Sequence, residues 1–418
     1  MRLPARLAVL RERNYRLLFA GQVTSVLGDE MTPVALSFAV LDRGGNARQV
    51  GLVLGSGAFT LVLFLLAGGV IADRLPRRAV MVGADAVRGA VQAASAVLLL
   101  TGAWRLWELA VLQAAWGVGA AFFTPALTGL VPEVVSAERL PEANALQGLT
   151  WSIGAVAGPA LAGVLLATTG AGAALLVDAA TFAVSAVTLS RLRLTPSVGS
   201  KGRTMVADLR EGWVAFRERT WLWVIVVQFA LWHMVAFAPV IVLGAVVAKA
   251  HFGGAAAWGS ILAAFGAGSI AGGVVALHLR PRRPLLVATA STLLFVPLPA
   301  LLALAAPVTA TALAAAGGGA GFAVFGTLWD TTLQQQVPQQ LLSRVSSYDW
   351  FGSVALLPVG YALAGPVAGL IGLATTLWVA AGWTLVTTVA VLLVPAVTGL
   401  QGELQTRLDA ADDVAHAP

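Results

Sequence analysis

The chain has no cysteine, four histidines, and 11% charged residues among its 418. Without cysteine there is no disulfide framework, thiolate metal site or thiol nucleophile. The histidines are His233, His251, His278 and His416, and they form no His-x-x-x-His cluster. There is no nucleophile elbow, and no Gly-Lys dipeptide from which a phosphate-cradling Gly-x-x-x-x-Gly-Lys-Ser/Thr loop could be built. These absences speak against a membrane-embedded enzyme and an ATP-driven pump. No catalytic residue, metal or cofactor is expected. The scarcity of charge says more. A soluble domain carries about a quarter charged residues. Here 58% of residues are hydrophobic and mean hydropathy is +0.84, more apolar surface than a core of this size could hide. Lipid must cover the rest.

What is present fits a polytopic membrane protein. A span needs about 20 residues to cross a hydrocarbon core of about 30 Å. Measured so, the apolar runs give twelve spans, near 17–41, 50–72, 79–101, 108–130, 144–168 and 171–190, then 221–246, 257–278, 285–305, 307–329, 345–371 and 373–397. The ninth and tenth are separated by little more than Ala306-Pro307, but 285–329 is too long for one span. The basic N-terminus is followed by a long run broken by Asp29 and Glu30, which reads as a retained first span.

The net charge of +6 does not indicate nucleic acid, because the basic residues sit in loops between apolar runs. Those loops orient the chain. With both termini cytoplasmic, the inside receives the N-terminal arginines, Arg74, Arg77, Arg78, Arg139, the linker, Arg280, Arg282, Arg283, Arg344 and Arg407. The outside receives only Arg43, Arg48, Arg105 and Lys249. By the positive-inside rule this fixes the orientation, and a multi-pass protein of the cell (plasma or inner) membrane is expected.

The loop after the second span, Gly68-Gly69-Val70-Ile71-Ala72-Asp73-Arg74-Leu75-Pro76-Arg77-Arg78, has a looser copy at Gly272–Arg283, with the glycine pairs 204 residues apart. The repeat divides the chain into an N-terminal six-helix bundle (1–190), a cytoplasmic linker (191–219), a C-terminal six-helix bundle (220–398) and a polar tail (399–418). Within the linker, apolar residues at 205, 206, 209, 213 and 216 predict a short amphipathic helix on the membrane face, with Trp213 at headgroup level.

Six plus six spans around a cytoplasmic linker resemble the major facilitator superfamily (MFS). The first loop resembles its signature Gly-x-x-x-Asp-Arg-x-Gly-Arg-Arg, with Gly69, Asp73, Arg74, Arg77 and Arg78 in place and Pro76 where glycine is usual. Gly154, Gly158 and Pro159, followed by Gly163, resemble the fifth-span motif of drug/proton antiporters. Arg13-Asn14-Tyr15-Arg16 with Ser25 and Gly28-Asp29 resembles the branch that holds macrolide-efflux proteins and the enterobactin exporter. The resemblance implies an all-α fold of two pseudo-symmetric six-helix bundles. It also implies a latch in which Asp73 and its arginines pair with the other half when the protein faces outward; positive-inside anchoring is the plainer reading of the same residues.

Several acids lie within spans, where an ionised carboxylate costs at least about 2.5–3.5 kcal/mol. Gln22, Ser25, Asp29 and Thr32 form one polar stripe, so Asp29 is the candidate cavity-facing, proton-titrating acid. Glu30 shares a face with Val23, Val26, Leu27 and Val34 and suits a structural role better. Asp178, with Thr181 and Ser185, is a second candidate for a proton or cation. Asp85 and Arg88, three apart, suit a local ion pair, or a network reaching Asp73. Asp330 and Asp349 are placed to partner loop arginines. His233 stands nearly alone on an apolar face. Trp213, Trp221 and Trp258 fit interfacial belts.

The leading expectation is proton-coupled export of an amphiphilic small molecule such as a drug, macrolide, siderophore or secondary metabolite. The expected partners are that cargo, protons and the bilayer, with no nucleic acid, for a monomer. An uptake symporter and a non-transporting membrane scaffold remain the alternatives, and the fifth-span Gly-Pro motif leans toward export through family analogy alone.

Overall fold

The computed structural model describes residues 9–136, 139–194 and 205–400; within these, the side chains of a few residues, Asp73 among them, are also outside the description. The described chain is helical, without strands. Eleven helices are long and apolar enough to cross a membrane. The other long helix is the first, Arg13–Asp42, which carries Asp29 and Glu30. The N-terminal half continues with Ala47–Arg74, Arg77–Thr101, Leu106–Val134, Leu140–Thr168 and Ala171–Ser190. The second half holds Thr220–His251, Ala255–His278, Pro284–Ala303, Val308–Gln336, Arg344–Ile371 and Leu373–Leu392.

Local chemistry sets the ends. Asn46 and Gln49 form a capping box at the start of the second span, with bonds of 3.2 and 3.0 Å. Gly102 ends the third span at φ +70°, where a side chain would be strained. The ninth and tenth spans are separate, parted by Ala305 at φ +46°. The ninth is not one regular helix. It tightens at Thr292–Phe295 ahead of Pro297 and Pro299, whose rings and missing N–H groups interrupt the regular ladder. The seventh widens into a π turn at His233–Phe237 just before Pro239.

The two halves repeat one packing scheme. The second span packs on the fourth, the first on the fifth and sixth, and the third on the fourth and sixth. Adding six to each number gives contacts seen in the second half, including eighth on tenth and ninth on tenth and twelfth. The halves meet through the second span against the eleventh and its symmetry counterpart, the eighth against the fifth.

That seam lies toward one end. A single apolar cluster joins Met31, Leu36 and Val53 of the first half to Val240, Trp258 and Tyr361 of the second. At the linker end the clusters are separate, one holding Tyr15, Met81 and Leu130, the other Phe216, Trp221 and Trp329. Lys249 adds an ion pair to Asp42, at 2.9 Å, across the closed end, and also donates to the Leu41 carbonyl. The molecule is shut away from the linker and parted beside it.

The linker helix, Met205–Arg217, forms as expected, but its inner face belongs to the second half. Trp213 stacks on Phe216 and lies 5.5 Å from the Tyr348 ring, and Arg344 pairs with Glu211 at 2.6 Å. Trp213 remains half exposed. Trp258 is not interfacial: it is 1% exposed and faces Gly244, where any side chain would collide with its ring. Trp221 is also buried, edge-on to Trp329.

Small residues make the seam possible. A Cβ on Gly266 would lie 2.5 Å from the Ala155 carbonyl carbon, and one on Gly259 2.4 Å from the Pro159 oxygen. Both obstacles are backbone, which cannot step aside. Gly266→Val is therefore expected to cost about 1–3 kcal/mol by overpacking and to lower the thermal unfolding midpoint in detergent. Gly273→Ala, with nothing within 4 Å, should leave that midpoint unchanged or slightly raised.

Candidate functional site

The most unusual side chain in the membrane-spanning part is Arg88, on the third span and 3% exposed. Its Nη2 lies 2.5 Å from Asp85 Oδ1, one helical turn away, and its Nη1 lies 3.3 Å from Asp29 Oδ2 on the first span. The guanidinium is held between two aromatic faces, 4.2 Å from the centre of Phe123 and 4.4 Å from that of Phe182. A buried cation is tolerated only when paired, and the flanking π faces add to the pairing. The network therefore reaches Asp29; the expected extension to Asp73 lies outside the described side chains.

A second cluster adjoins it. Asp178 on the sixth span is fully buried, and its Oδ2 accepts from Thr32 at 2.8 Å and Gln92 at 2.7 Å. Thr181 approaches Oδ1 at 3.3 Å, and Gln113 extends the chain to Gln92 at 3.4 Å. Gly28 makes room for it: a Cβ there would meet Asp178 Oδ1 at 2.2 Å.

Sequence alone does not single out Gln92, Gln113, Phe123 or Phe182, and Gly28 enters only through the branch resemblance, although a signal for Gln92 exists. Gln22, Ser25, Asp29 and Thr32 are spaced three, four, three, and so are Asp85, Arg88, Gln92 and Ser95. Asp178, Thr181, Ser185 and Thr188 repeat the spacing. Three polar stripes at one helical period, on the sixth span and on the first and third spans that both pack against it, point to a shared interior.

Asp29 also borders space. A cleft of about 350 Å³ lies among the first, third, fourth and fifth spans, and Asp29, Arg88, Gln22, Gln147 and Trp151 are in its wall. Glu30, the next residue, faces away. It abuts Gly158 of the fifth span and lies within electrostatic reach of Tyr361 of the eleventh, so it borders the seam between halves.

The remaining candidates are scattered. Asp349 accepts from Trp329 Nε1 at 3.0 Å rather than from an arginine, and Asp330 is exposed well inside the tenth span, which runs on to Gln336. Neither joins Asp85 and Arg88; loop arginines find other acids, as Arg344 does in Glu211. His233 is surrounded by aromatic rings, those of Phe229, Trp232 and Phe237, and its Nδ1 lies 2.9 Å from the Phe229 carbonyl.

In the charged loop, Arg77 binds the Gly129 carbonyl at 2.6 Å and Glu133 at 2.8 Å, and Arg78 binds the Leu192 carbonyl at 2.8 Å. These contacts stay within the first half and the start of the linker. Arg74 is exposed, and Gly69 has open space where Gly68 touches the Ala121 backbone. The Asp73 side chain is outside the described residues. In the fifth span the motif glycines face two helices. Gly154 meets Val26, Gly158 meets Glu30 and Leu27, and Gly163 meets Ala255 and Ala256 of the eighth span, beside Pro159 against Gly259.

Two six-helix bundles, closed at one end and enclosing buried charge beside a cleft of mixed polar and apolar lining, define an MFS-type membrane protein. The chain belongs to the MFS family described as "Transmembrane secretion effector", whose model it matches over residues 4–412. It is 28% identical over 381 residues to the multidrug efflux pump Tap of Mycolicibacterium fortuitum, covering 86% of this chain and 90% of that one. It is 24% identical over 274 residues to macrolide efflux protein A of Streptococcus pyogenes, covering 63% of this chain. The match spans just under two thirds of the streptococcal protein's length, 66%. Among solved structures, the nucleoside transporter NupG superposes with a TM-score of 0.67 at 13% identity, covering 91% of this chain and 98% of its own. A bacterial homologue of the lysosomal transporter Spinster, inward-facing and unoccupied, gives 0.61 at 16% identity, with 95% and 96% covered. Those likenesses concern the fold.

Removing the cation should strand two carboxylates. Arg88→Met is expected to destabilise the protein by about 3–5 kcal/mol, the cost of breaking a buried pair from one side. Pairing it with Asp85→Asn should recover part of that loss, as measured by thermal unfolding of the purified variants.

Proposed function

We propose that the chain is a secondary exporter of amphiphilic small molecules, driven by proton entry and working by alternating access between its two halves. The observation that carries this reading is the position of Asp29, which touches both the cleft and the buried ion pair. One arginine against Asp85 and Asp29 leaves one formal negative charge in the triad, and a single proton on Asp29 cancels it. Protonation would release the 3.3 Å contact and keep the 2.5 Å one, so Arg88 stays neutralised by Asp85. A charge change buried at this depth is a strong bias on any equilibrium between packings.

The parted linker end supports a cytoplasm-facing state, with the linker and both termini inside the cell membrane as the arginine distribution implies. The rocking units are the bundles flanking residues 191–219. When the linker end closes, the Gly68–Arg78 loop meets the other half; Asp73, with Arg74, Arg77 and Arg78, then serves as the latch. Export, rather than uptake, follows the names of the relatives, and so does the expectation that macrolides or other drugs are cargo.

In proteoliposomes loaded with a fluorescent lipophilic dye, an imposed pH gradient should speed dye flux about tenfold, on the order of 1.4 kcal/mol of coupling. Asp29→Asn should keep dye binding and lose the response to the gradient. Gradient-independent flux in the native protein would rule out proton coupling.

A further inference from the structure

The cleft among the first, third, fourth and fifth spans holds an unusual set of unsatisfied atoms. Gln22 Nε2, Gln147 Nε2 and Arg88 Nε are buried donors without an acceptor, and Asp29 Oδ1 is a buried acceptor without a donor. Gln22 and Arg88 are 2% and 3% exposed, so these groups are fixed within the bundle rather than waving in solvent. All four residues belong to the wall of the same 350 Å³ space. Buried polar groups are normally satisfied, and four exceptions on residues of one cleft wall ask for a partner.

We propose that this cleft is a binding subsite for a hydroxylated ring, a sugar-like group of the cargo. The assignment follows from matching donors and acceptors. An apolar group would leave all four atoms unmet. An ammonium only donates, so it would satisfy Asp29 and leave three donors without acceptors. An anion would face the Asp29 carboxylate. Hydroxyl groups both donate and accept, and several on one ring can meet three donors and one acceptor together. The aromatic surface agrees. Phe123 is occupied by the Arg88 guanidinium, whereas Trp151, also in the cleft wall, is half exposed and brings a free aromatic ring to the C–H side of a saturated ring. Exposed Asn144, one turn before Gln147, extends the amide lining. The identity of the group as cargo rests on the export reading; its binding does not.

The lack of cysteine gives a clean assay. Thr128→Cys places a single thiol in the cleft wall, at an exposed position. In lipid nanodiscs without any gradient, its rate of maleimide labelling is measured with hexyl β-glucoside or with hexyl triethylene glycol, which shares the tail and lacks the ring. The glucoside should slow labelling at least tenfold, and the glycol ether should have little effect. Gln147→Leu and Trp151→Leu should each raise the half-protecting glucoside concentration at least tenfold, while Trp151→Phe should retain protection. Equal protection by the two amphiphiles, or protection unchanged in both leucine variants, would overturn the proposal. Trp151 is half exposed, so its variants keep the test available if Gln147→Leu fails to fold. A protein that binds the glucoside and transports without a proton gradient would sink the coupling and leave this subsite standing.

Discussion

An arginine sealed inside a helical bundle must be paired, and Arg88 is paired with two carboxylates and covered by two rings. Asp85 and Asp29 lie at its nitrogens, and Phe123 and Phe182 cover its faces. These partners come from the first, third, fourth and sixth spans. The pairing thus holds most of the first half in register around one cation, since moving any of these helices would expose a charge to lipid-like surroundings. The Asp178 cluster continues the arrangement with neutral donors. It ties Thr32, Gln92 and Gln113 to a carboxylate that has no cation of its own.

The second half has the same helix pairings and a different filling. Around His233 its central spans present Phe229, Trp232, Phe237, Phe295, Phe322 and Phe325, rings tilted or edge-on to one another at 4.5–6.3 Å. One half therefore carries ions and amides, the other aromatic surface. Between them, glycine and alanine at the fifth–eighth and second–eleventh contacts bring backbones close enough to close one end without interlocking side chains. Such a seam can slide or part at little cost in rotamer rearrangement. An amphiphile bridging the two halves would meet polar groups on one side and rings on the other.

Much of this was legible in the residues. Apolar runs long enough to span, the repeated loop and the arginine distribution led to twelve helices in two halves, and the three-residue spacing of Asp85 and Arg88 put them on one face. Periodicity also separated Asp29 from Glu30, which indeed point toward different helices. What was hidden depends on contacts between helices. Nothing in the third span alone says that Arg88 reaches the first, and nothing near Asp178 names Gln92, eighty-six residues away. Asp349 and Asp330 lie near helix ends, which suggests arginine partners, but Asp349 accepts from a tryptophan N–H and Asp330 is exposed within its span. Trp258 misled for a similar reason, since its position near a span end was read as interfacial before Gly244 was known to make a slot for it.

The central claim is that Asp29 gains and loses a proton beside Arg88. Infrared difference spectroscopy of the protein in lipid, stepped from acidic to alkaline pH, observes the carbonyl stretch of a protonated carboxyl directly. The account predicts a band that vanishes as pH rises in the native protein, is missing from the Asp29→Asn difference spectrum, and shifts in frequency in Arg88→Met. A band of the same intensity and the same pH dependence in Asp29→Asn would contradict it.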